Sequence, residues 1–145
     1  MTIYLGADHA GWALKEQIKV ALQAQGHKVS DQGNLKPEED DDYPDYAKRV
    51  ALMMKKNKDS RGLLFCDSGQ GMVMAANRFK HLRAAFAHND ASVEQARQDE
   101  DINVLCLMAR DSSLKQAENF IKIFLESKFK AIPRYKRRIQ KLKNL

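Results

Sequence analysis

The chain is 145 residues long, with 43% hydrophobic and 30% charged residues and a formal net charge of +6. This length predicts one domain, residues 1–145, that is long enough to bury a continuous core. No apolar run approaches the ~20 residues that span a bilayer, and no secretory signal pattern opens the chain. Two cysteines are too few for a disulfide framework, so we expect reduced thiols in a cytoplasmic protein without membrane association.

Short apolar runs alternate with amphipathic stretches along the whole chain. The runs predict five strands, at 3–5, 27–33, 63–65, 82–87 and 104–108. The stretches between them have helical spacing of apolar residues. They predict six helices. These run from after Gly11 to near Gly26, over 43–56, from the turn after the third strand to about 79, over 90–97, from Ser112 or Ser113 onward, and after Pro133.

This alternation is typical of a parallel sheet that is covered by helices on both faces. We therefore predict an α/β fold, a three-layer α/β/α Rossmann-like domain with a five-stranded parallel sheet and a C-terminal basic helix. Ligands of such sheets collect beyond the carboxyl ends of the strands. The polar residues that follow strands one, three, four and five are then expected at one edge: Asp8, His9, Cys66 to Gly71, His88 and Arg110.

The stretch CDSGQGMVMAAN, from Cys66 to Asn77, follows a buried strand and leads into a helix. Its glycines, Gly69 and Gly71, allow close approach of the backbone to a ligand, and the amides at a helix start favour an anion. Cys66 and Ser68 place a thiol and a hydroxyl at this turn. A tight turn with a buried thiol is the alternative interpretation. The polar groups from other strands at the same edge favour an anion-binding site.

Several other functions are disfavoured by the same sequence. No set of His, Cys and carboxylate residues has structural zinc spacing, and no Gly-Lys-Ser/Thr follows the glycine loop. We predict no metal and no cofactor. The C-terminal tail from Lys128 onward is basic and could bind a polyanion, but no aromatic residues are arranged for base stacking. We therefore predict no nucleic-acid partner.

Six motifs together resemble the sugar-phosphate isomerase family that includes ribose-5-phosphate isomerase B and the subunits of galactose-6-phosphate isomerase. The resemblance covers essentially the whole chain, in order and without large gaps. The glycine loop with its Ala-Ala-Asn end is the most specific element. The other motifs are GADHAG at 6–11, DYPDYA at 42–47, LRAAFAH at 82–88, NVLCLMAR at 103–110 and RYKRRI at 134–139.

The resemblance implies an aldose–ketose isomerase that acts on a phosphorylated sugar through a cis-enediolate. Cys66 would move the proton between C1 and C2, with Ser68 assisting at the oxygens. The family forms homodimers with sites at the subunit interface and needs no metal. The implied substrate-binding residues are Asp8, His9 and Tyr43 for the sugar, the loop residues Asp67, Gly69, Gln70 and Gly71 for the enediolate, and Arg110, Arg134 and Arg138 for the phosphate.

The chemistry of these residue types agrees with that implication. Removal of a weakly acidic proton beside a carbonyl requires a base and donors aimed at the developing oxyanion. A helix N-terminus and nearby cations can lower the pKa of a thiol, and we expect this effect at Cys66. Arg134 and Arg138 are four residues apart, so both can face one phosphate from one side of a helix.

Two positions depart from the family pattern. Asp99 and Glu100 stand where the ribose-phosphate enzymes have His-Asn, and the resemblance assigns furanose opening to that histidine. We therefore name Asp99 as catalytic and Glu100 as substrate-binding in its place. Asp67 replaces a glycine of the anion loop. Three outcomes are compatible: ribose 5-phosphate isomerisation with His88 or Asp99 opening the ring, a different sugar phosphate such as a four-carbon one, or a non-catalytic sugar-phosphate-binding protein.

Overall fold

The computed structural model describes all 145 residues and contains five strands and six helices. The strands are β1 (Thr2–Ala7), β2 (Lys28–Asp31), β3 (Arg61–Cys66), β4 (Ala84–Phe86) and β5 (Val104–Met108). The helices are α1 (Trp12–Ala24), α2 (Tyr43–Lys56), α3 (Gln70–Ala76), α4 (Asp90–Glu100), α5 (Leu114–Glu126) and α6 (Pro133–Lys143).

The five strands form one parallel sheet in the order β2-β1-β3-β5-β4. In this register, Ala7 lies beside Phe65 and Cys66 lies beside Met108. The carboxyl ends of β1, β3 and β5 are therefore level with one another. The turns that follow these strands meet at one edge of the sheet, as the sequence predicts.

Two apolar clusters cover the faces of the sheet and confirm the three-layer α/β/α prediction. On one face, β1, β3 and β5 pack against the buried stripes of α1 and α5. On the other face, α2 and α3 contribute the buried residues. The predicted apolar stripe of α5 is buried at Ala117, Phe120, Ile121 and Phe124, and that of α2 at Tyr46, Val50 and Met54.

A close approach at Gly11 brings the start of α1 against β3. A Cβ built at this glycine would lie 2.4 Å from the carbonyl of Phe65, so no larger residue fits without displacement of the backbone. The Gly11 amide also donates to Oδ1 of Asp8 at 2.9 Å. The turn that holds Asp8 and His9 is thereby fixed beside the end of β3.

The ends of some elements differ from the prediction. Helix α4 continues to Glu100 instead of ending near Arg97, and Asp101 ends it with a positive φ of 46°. Arg97 stabilises this extra turn, because its Nη1 lies 2.8 Å from the Asp101 carboxylate. Strand β4 is shorter than predicted, because the side chain of Asn103 binds the Arg83 amide at its start. None of the helices is long and apolar enough to cross a membrane.

Candidate active site

The loop after β3 wraps around the Cys66 thiol. Cys66 is only 5% exposed, and its Sγ accepts a hydrogen bond from the Gly69 amide at 3.2 Å. The Oγ of Ser68 accepts a longer bond, 3.4 Å, from the Gln70 amide. Gly69 has a φ of +77°, which a residue with a side chain adopts only with strain. The loop therefore directs its amides toward the thiol, as an anion-binding loop requires.

Aromatic rings pack closely against both glycines of the loop. A Cβ at Gly69 would lie 2.6 Å from the Phe86 ring, and a Cβ at Gly71 would lie 2.8 Å from the Tyr43 ring. Tyr43 opens α2, so this predicted substrate-binding residue is brought to the loop by packing. His88 is exposed just beyond Phe86, with their ring centroids 6.5 Å apart.

Burial raises the pKa of the Cys66 thiol above its ordinary value. The Asp8 carboxylate acts in the same direction, whereas the amides of Met72, Gly69 and Ser68 lower the pKa by a smaller amount. The expectation of a lowered pKa is therefore wrong for the free chain. No cation is among the main influences on this pKa, and the arginine expected at this edge is paired with a carboxylate.

That arginine is Arg110, which forms a two-point ion pair with Asp67. Arg110 Nε donates to Asp67 Oδ1 at 3.0 Å, and Nη2 binds Oδ2. The Asp67 carboxylate is thus turned toward solvent and Arg110, away from the Cys66 thiol. Arg110 lies at the predicted edge, but in the free chain its guanidinium is occupied by a carboxylate instead of being open to a phosphate.

Asp8 and His9 follow β1 at the same edge. Asp8 is buried, and the loss of solvation raises the pKa of its carboxyl group despite the hydrogen bond from Gly11. His9 is exposed, and its ring is held by a carboxylate from the β2–α2 loop. The structure thus brings together ten predicted site residues, here called the carboxyl-edge group: Asp8, His9, Tyr43, Cys66, Asp67, Ser68, Gly69, Gln70, Gly71 and Arg110.

The carboxylate that holds His9 is Asp41, a residue of the acidic loop 38–42 that the sequence alone did not single out. Its Oδ1 lies 2.7 Å from His9 Nδ1 and 3.0 Å from the His9 amide. Its Oδ2 accepts from Asn34 at 2.6 Å. The residue stands in a run of five acidic residues, 38–42, and no local pattern distinguishes the one that turns inward.

The remaining four predicted site residues form a second set at the opposite edge of the sheet. This amino-edge group comprises Asp99, Glu100, Arg134 and Arg138. Helix α4 runs back from the end of β4, so Asp99 and Glu100 lie just before the start of β5. The Lys130 amide donates to the Gln98 carbonyl at 2.8 Å, which anchors the start of α6 near them. Glu100 and Arg138 line one shallow groove.

The two groups do not meet within one chain. Strand β5 alone separates the edges by about 13 Å, since a parallel strand rises ~3.3 Å per residue. Asp99 is partly exposed, and its carboxylate accepts a hydrogen bond from the side chain of Gln95 at 3.5 Å. The joint action of Asp99 with Cys66 therefore stays a prediction that requires a second copy of the chain. No group of three or more His, Cys, Asp or Glu is placed to hold a metal ion.

Comparison with known proteins gives one consistent family. The Ribose/Galactose Isomerase family matches residues 3–142. The probable ribose-5-phosphate isomerase B of Mycoplasma pneumoniae is 36% identical over 140 residues, which are 97% of this chain and 91% of that protein. The ribose-5-phosphate isomerase B of Escherichia coli is 33% identical over 138 residues, 95% of this chain and 91% of that protein.

Solved structures agree with the sequence comparisons. A ribose 5-phosphate isomerase of Thermotoga maritima superposes with a TM-score of 0.95 at 35% identity, covering 99% of this chain and 98% of that one. Ribose-5-phosphate isomerase B of Mycoplasma genitalium, solved with bound ribulose 5-phosphate, gives 0.93 at 36% identity, covering 99% and 94%. The fold, the order of the motifs and the extent of these matches lead to one conclusion: the chain belongs to the Ribose/Galactose Isomerase family.

Proposed function

We propose that this sugar-phosphate isomerase interconverts ribose 5-phosphate and ribulose 5-phosphate through a cis-enediolate, with Cys66 as the base. The observation that carries the proposal is the Cys66 thiol inside a loop whose amides face it. The Mycoplasma genitalium relative, which binds ribulose 5-phosphate, shares the fold over nearly the whole chain. Two free cysteines are in keeping with a cytoplasmic location, which stays a prediction.

Each step of the proposed reaction moves one proton. The Cys66 thiolate removes the C2 proton of the open-chain aldose, and the electron pair moves into a C1–C2 double bond. Loop amides from Asp67 to Gly71 stabilise the negative charge that develops on the sugar oxygens. The Cys66 thiol then returns the proton to C1, and the transfer of the hydroxyl proton from O2 to O1 completes the ketose.

A second copy of the chain is proposed to complete the site. The amino-edge group carries the two arginines that suit a phosphate, Arg134 and Arg138, and both are exposed four residues apart on α6. A two-fold dimer can bring the amino edge of one copy to the carboxyl edge of the other. This homodimer would let Arg134 and Arg138 bind the phosphate, together with Arg110 once its pair with Asp67 opens.

Ring opening is the step for which this chain has two candidate donors. Asp99 belongs to the amino-edge group, and His88 lies at the carboxyl edge beyond the Phe86 ring. A four-carbon sugar phosphate, which cannot close a furanose ring, is the second candidate substrate, because it needs neither donor.

A proton-exchange assay tests the proposal directly. The protein is incubated in deuterated water with four-, five- and six-carbon aldose phosphates, and NMR records deuterium at C1 and C2. We expect exchange and ketose formation with ribose 5-phosphate. The Cys66→Ala variant should lose turnover while its affinity for a phosphate ligand stays within several-fold. A full rate in Cys66→Ala would mean that another residue is the base. The absence of deuterium exchange with every sugar phosphate would contradict the proposed function.

A further inference from the structure

One carboxylate of the acidic loop differs from its neighbours in its surroundings. The side chain of Asp41 is only 5% exposed, whereas Asp40 and Asp42 on either side are exposed. The loop folds back onto the end of β1, where the Asn34 amide donates to the Ala7 carbonyl at 2.8 Å. Asp41 is thereby placed beside His9 at the edge of the sheet that carries Cys66.

Four donors converge on the two oxygens of Asp41. The His9 amide and ring both bind Oδ1, at 3.0 and 2.7 Å, and Asn34 binds Oδ2 at 2.6 Å. The Tyr46 hydroxyl also donates to this carboxylate. Because an ionised carboxylate accepts and never donates, the ring nitrogen that faces it, Nδ1, must carry a proton. The other ring nitrogen, Nε2, is then the one left for a ligand.

The charges around His9 favour its protonated form. The hydrogen bond that His9 donates to Asp41 is the main cause of a raised His9 pKa, and Asp8 and Glu39 act in the same direction. Burial alone would raise the pKa of Asp41, but its donors outweigh burial and lower it. Tyr46, whose pKa burial and Asp41 raise to about 12, stays neutral. Arg49 stacks on the Tyr46 ring with its guanidinium carbon 5.0 Å from the centroid.

We propose that Asp41 is a positioning residue that fixes the orientation of His9 and keeps a proton on Nδ1, so that Nε2 faces the bound sugar: it accepts from a sugar hydroxyl when the ring is neutral and donates to a sugar oxygen when the ring is protonated. The inference rests on the proposed function, because it takes the ligand to be a sugar phosphate. His9 follows Asp8, and Asp8 raises the pKa of Cys66, so the ring lies in the neighbourhood of the base. A donor at this position strengthens as negative charge develops on the sugar oxygen.

A purely structural role for Asp41 predicts different results. The bonds to Asn34, Tyr46 and the His9 amide hold the loop, and their loss would lower the free energy of unfolding. Only the bond to Nδ1 controls the protonation of the ring. Three measurements therefore separate the two roles. They are the pKa of His9, its tautomer, and whether a substitution of Asp41 changes kcat or KM.

The test compares Asp41→Asn with Asp40→Asn, which removes the same charge from the adjacent exposed position. We expect Asp41→Asn to lower kcat for ribose 5-phosphate about tenfold, less than the ~10²–10⁴-fold effect typical of a general acid or base because His9 itself remains, with KM within about threefold. The His9 pKa, followed by NMR and assigned through His9→Gln among four histidines, should fall toward ~6.5. Asp40→Asn should change neither quantity.

A second measurement uses the unaltered protein and does not depend on the folding of a variant. Nitrogen-15 NMR above the His9 pKa should show the proton on Nδ1. A proton on Nε2 with Nδ1 bare would overturn the inference, as would an unchanged kcat and His9 pKa in Asp41→Asn. Failure of the proposed function has another signature, the absence of turnover in the unaltered protein, and the tautomer would still decide whether Asp41 controls the ring.

Discussion

At the scale of single residues, the reactivity of Cys66 is set by opposing influences. The loss of solvation and the Asp8 carboxylate favour the thiol, and the amides of the loop favour the thiolate. Burial is the largest of these, so the pKa is raised. The free chain therefore holds the Cys66 thiol mainly in the protonated form at neutral pH, and the thiolate fraction grows as pH rises.

The pH dependence of the reaction follows from this shift. Since the thiolate population increases up to a pKa above the ordinary thiol value, kcat/KM should still be rising at pH 8.5. Alkylation of Cys66 by iodoacetamide, followed by mass spectrometry, should accelerate over the same range. Cys106 is fully buried and serves as an internal control that should stay unmodified. A rate that levels off below pH 7 would contradict the raised pKa.

The pair between Asp67 and Arg110 gives a second prediction at this scale. Both side chains are partly exposed, and such pairs are worth up to ~1 kcal/mol. If Arg110 contacts the substrate phosphate, Asp67→Asn should lower KM by up to about fivefold, because the guanidinium no longer has to leave a carboxylate. Steady-state kinetics with ribose 5-phosphate measure the change. An unchanged KM would mean that Arg110 does not contact the phosphate.

At the scale of secondary-structure elements, a buried ion cluster joins α1 to β2. The side chain of Lys15 is fully buried, and its Nζ lies 2.5 Å from Asp31 and 2.8 Å from Glu16. Lys19 adds a contact of 2.9 Å to Asp31. Asp31 also accepts from the Gly33 amide at 3.0 Å. The cluster therefore fixes the first residues of the loop that carries Asp41.

Removal of the Asp31 charge should destabilise the fold. Asp31→Asn leaves the Lys15 ammonium buried with one carboxylate partner fewer, which costs about 3 kcal/mol of unfolding free energy. Urea denaturation measures it, with the exposed Asp111→Asn as the matched control. A loss below ~0.5 kcal/mol, the usual range for surface substitutions, would show that the cluster contributes no stability.

The same cluster predicts how stability depends on pH. Burial alone would raise the pKa of Asp31, but the hydrogen bonds from Lys15 and Lys19 together outweigh it and lower the pKa. A lowered pKa contributes stability that is present above the unfolded value of ~3.9 and is lost as pH falls through the folded value. The difference between the unaltered protein and Asp31→Asn should therefore shrink below about pH 4.

Local patterns in the sequence predicted the elements but not every contact between them. Helix α2 begins and ends as predicted, because Pro44 and the spacing of its apolar residues are local signals. The end of α4 was not predicted, because the acidic residues there suggest a loop. The helix continues because Arg97 pairs with Asp101, and the local pattern does not indicate that contact. The direction of the Asp67 carboxylate depends on Arg110, which lies 43 residues away, so no local pattern encodes it.

At the scale of the whole molecule, the predicted site residues divide into the carboxyl-edge and amino-edge groups. Ligands of parallel sheets bind beyond the carboxyl ends of the strands, and this rule locates the carboxyl-edge group from the sequence. Its segments follow β1, β3 or β5, apart from Tyr43, which packs against the loop after β3. The second group precedes β5 or lies on α6, so no rule for a single sheet brings it to Cys66. The homodimer proposed above would unite the two groups in one shared site.

Complementation between two inactive variants tests this arrangement. Cys66→Ala and Arg138→Ala are each expected to be inactive, but random pairing of the two chains should restore about a quarter of the activity, because hybrid dimers contain one intact site. Cys66→Ala paired with His9→Ala is the matched control, since both changes lie in the carboxyl-edge group and leave no intact site. Equal recovery from both mixtures, or none from either, would argue against a site shared in this way.

The burial of Cys66 also bears on how the protein withstands oxidants. Peroxide attacks a cysteine in proportion to its thiolate character and its access to solvent, and both are low for this 5% exposed thiol with a raised pKa. An exposed thiolate would be converted to sulfenic and then sulfinic acid, and the proposed base would be lost. The loop shields the thiol from solvent and therefore makes the free protein resistant to oxidation. This resistance does not depend on the rate of turnover.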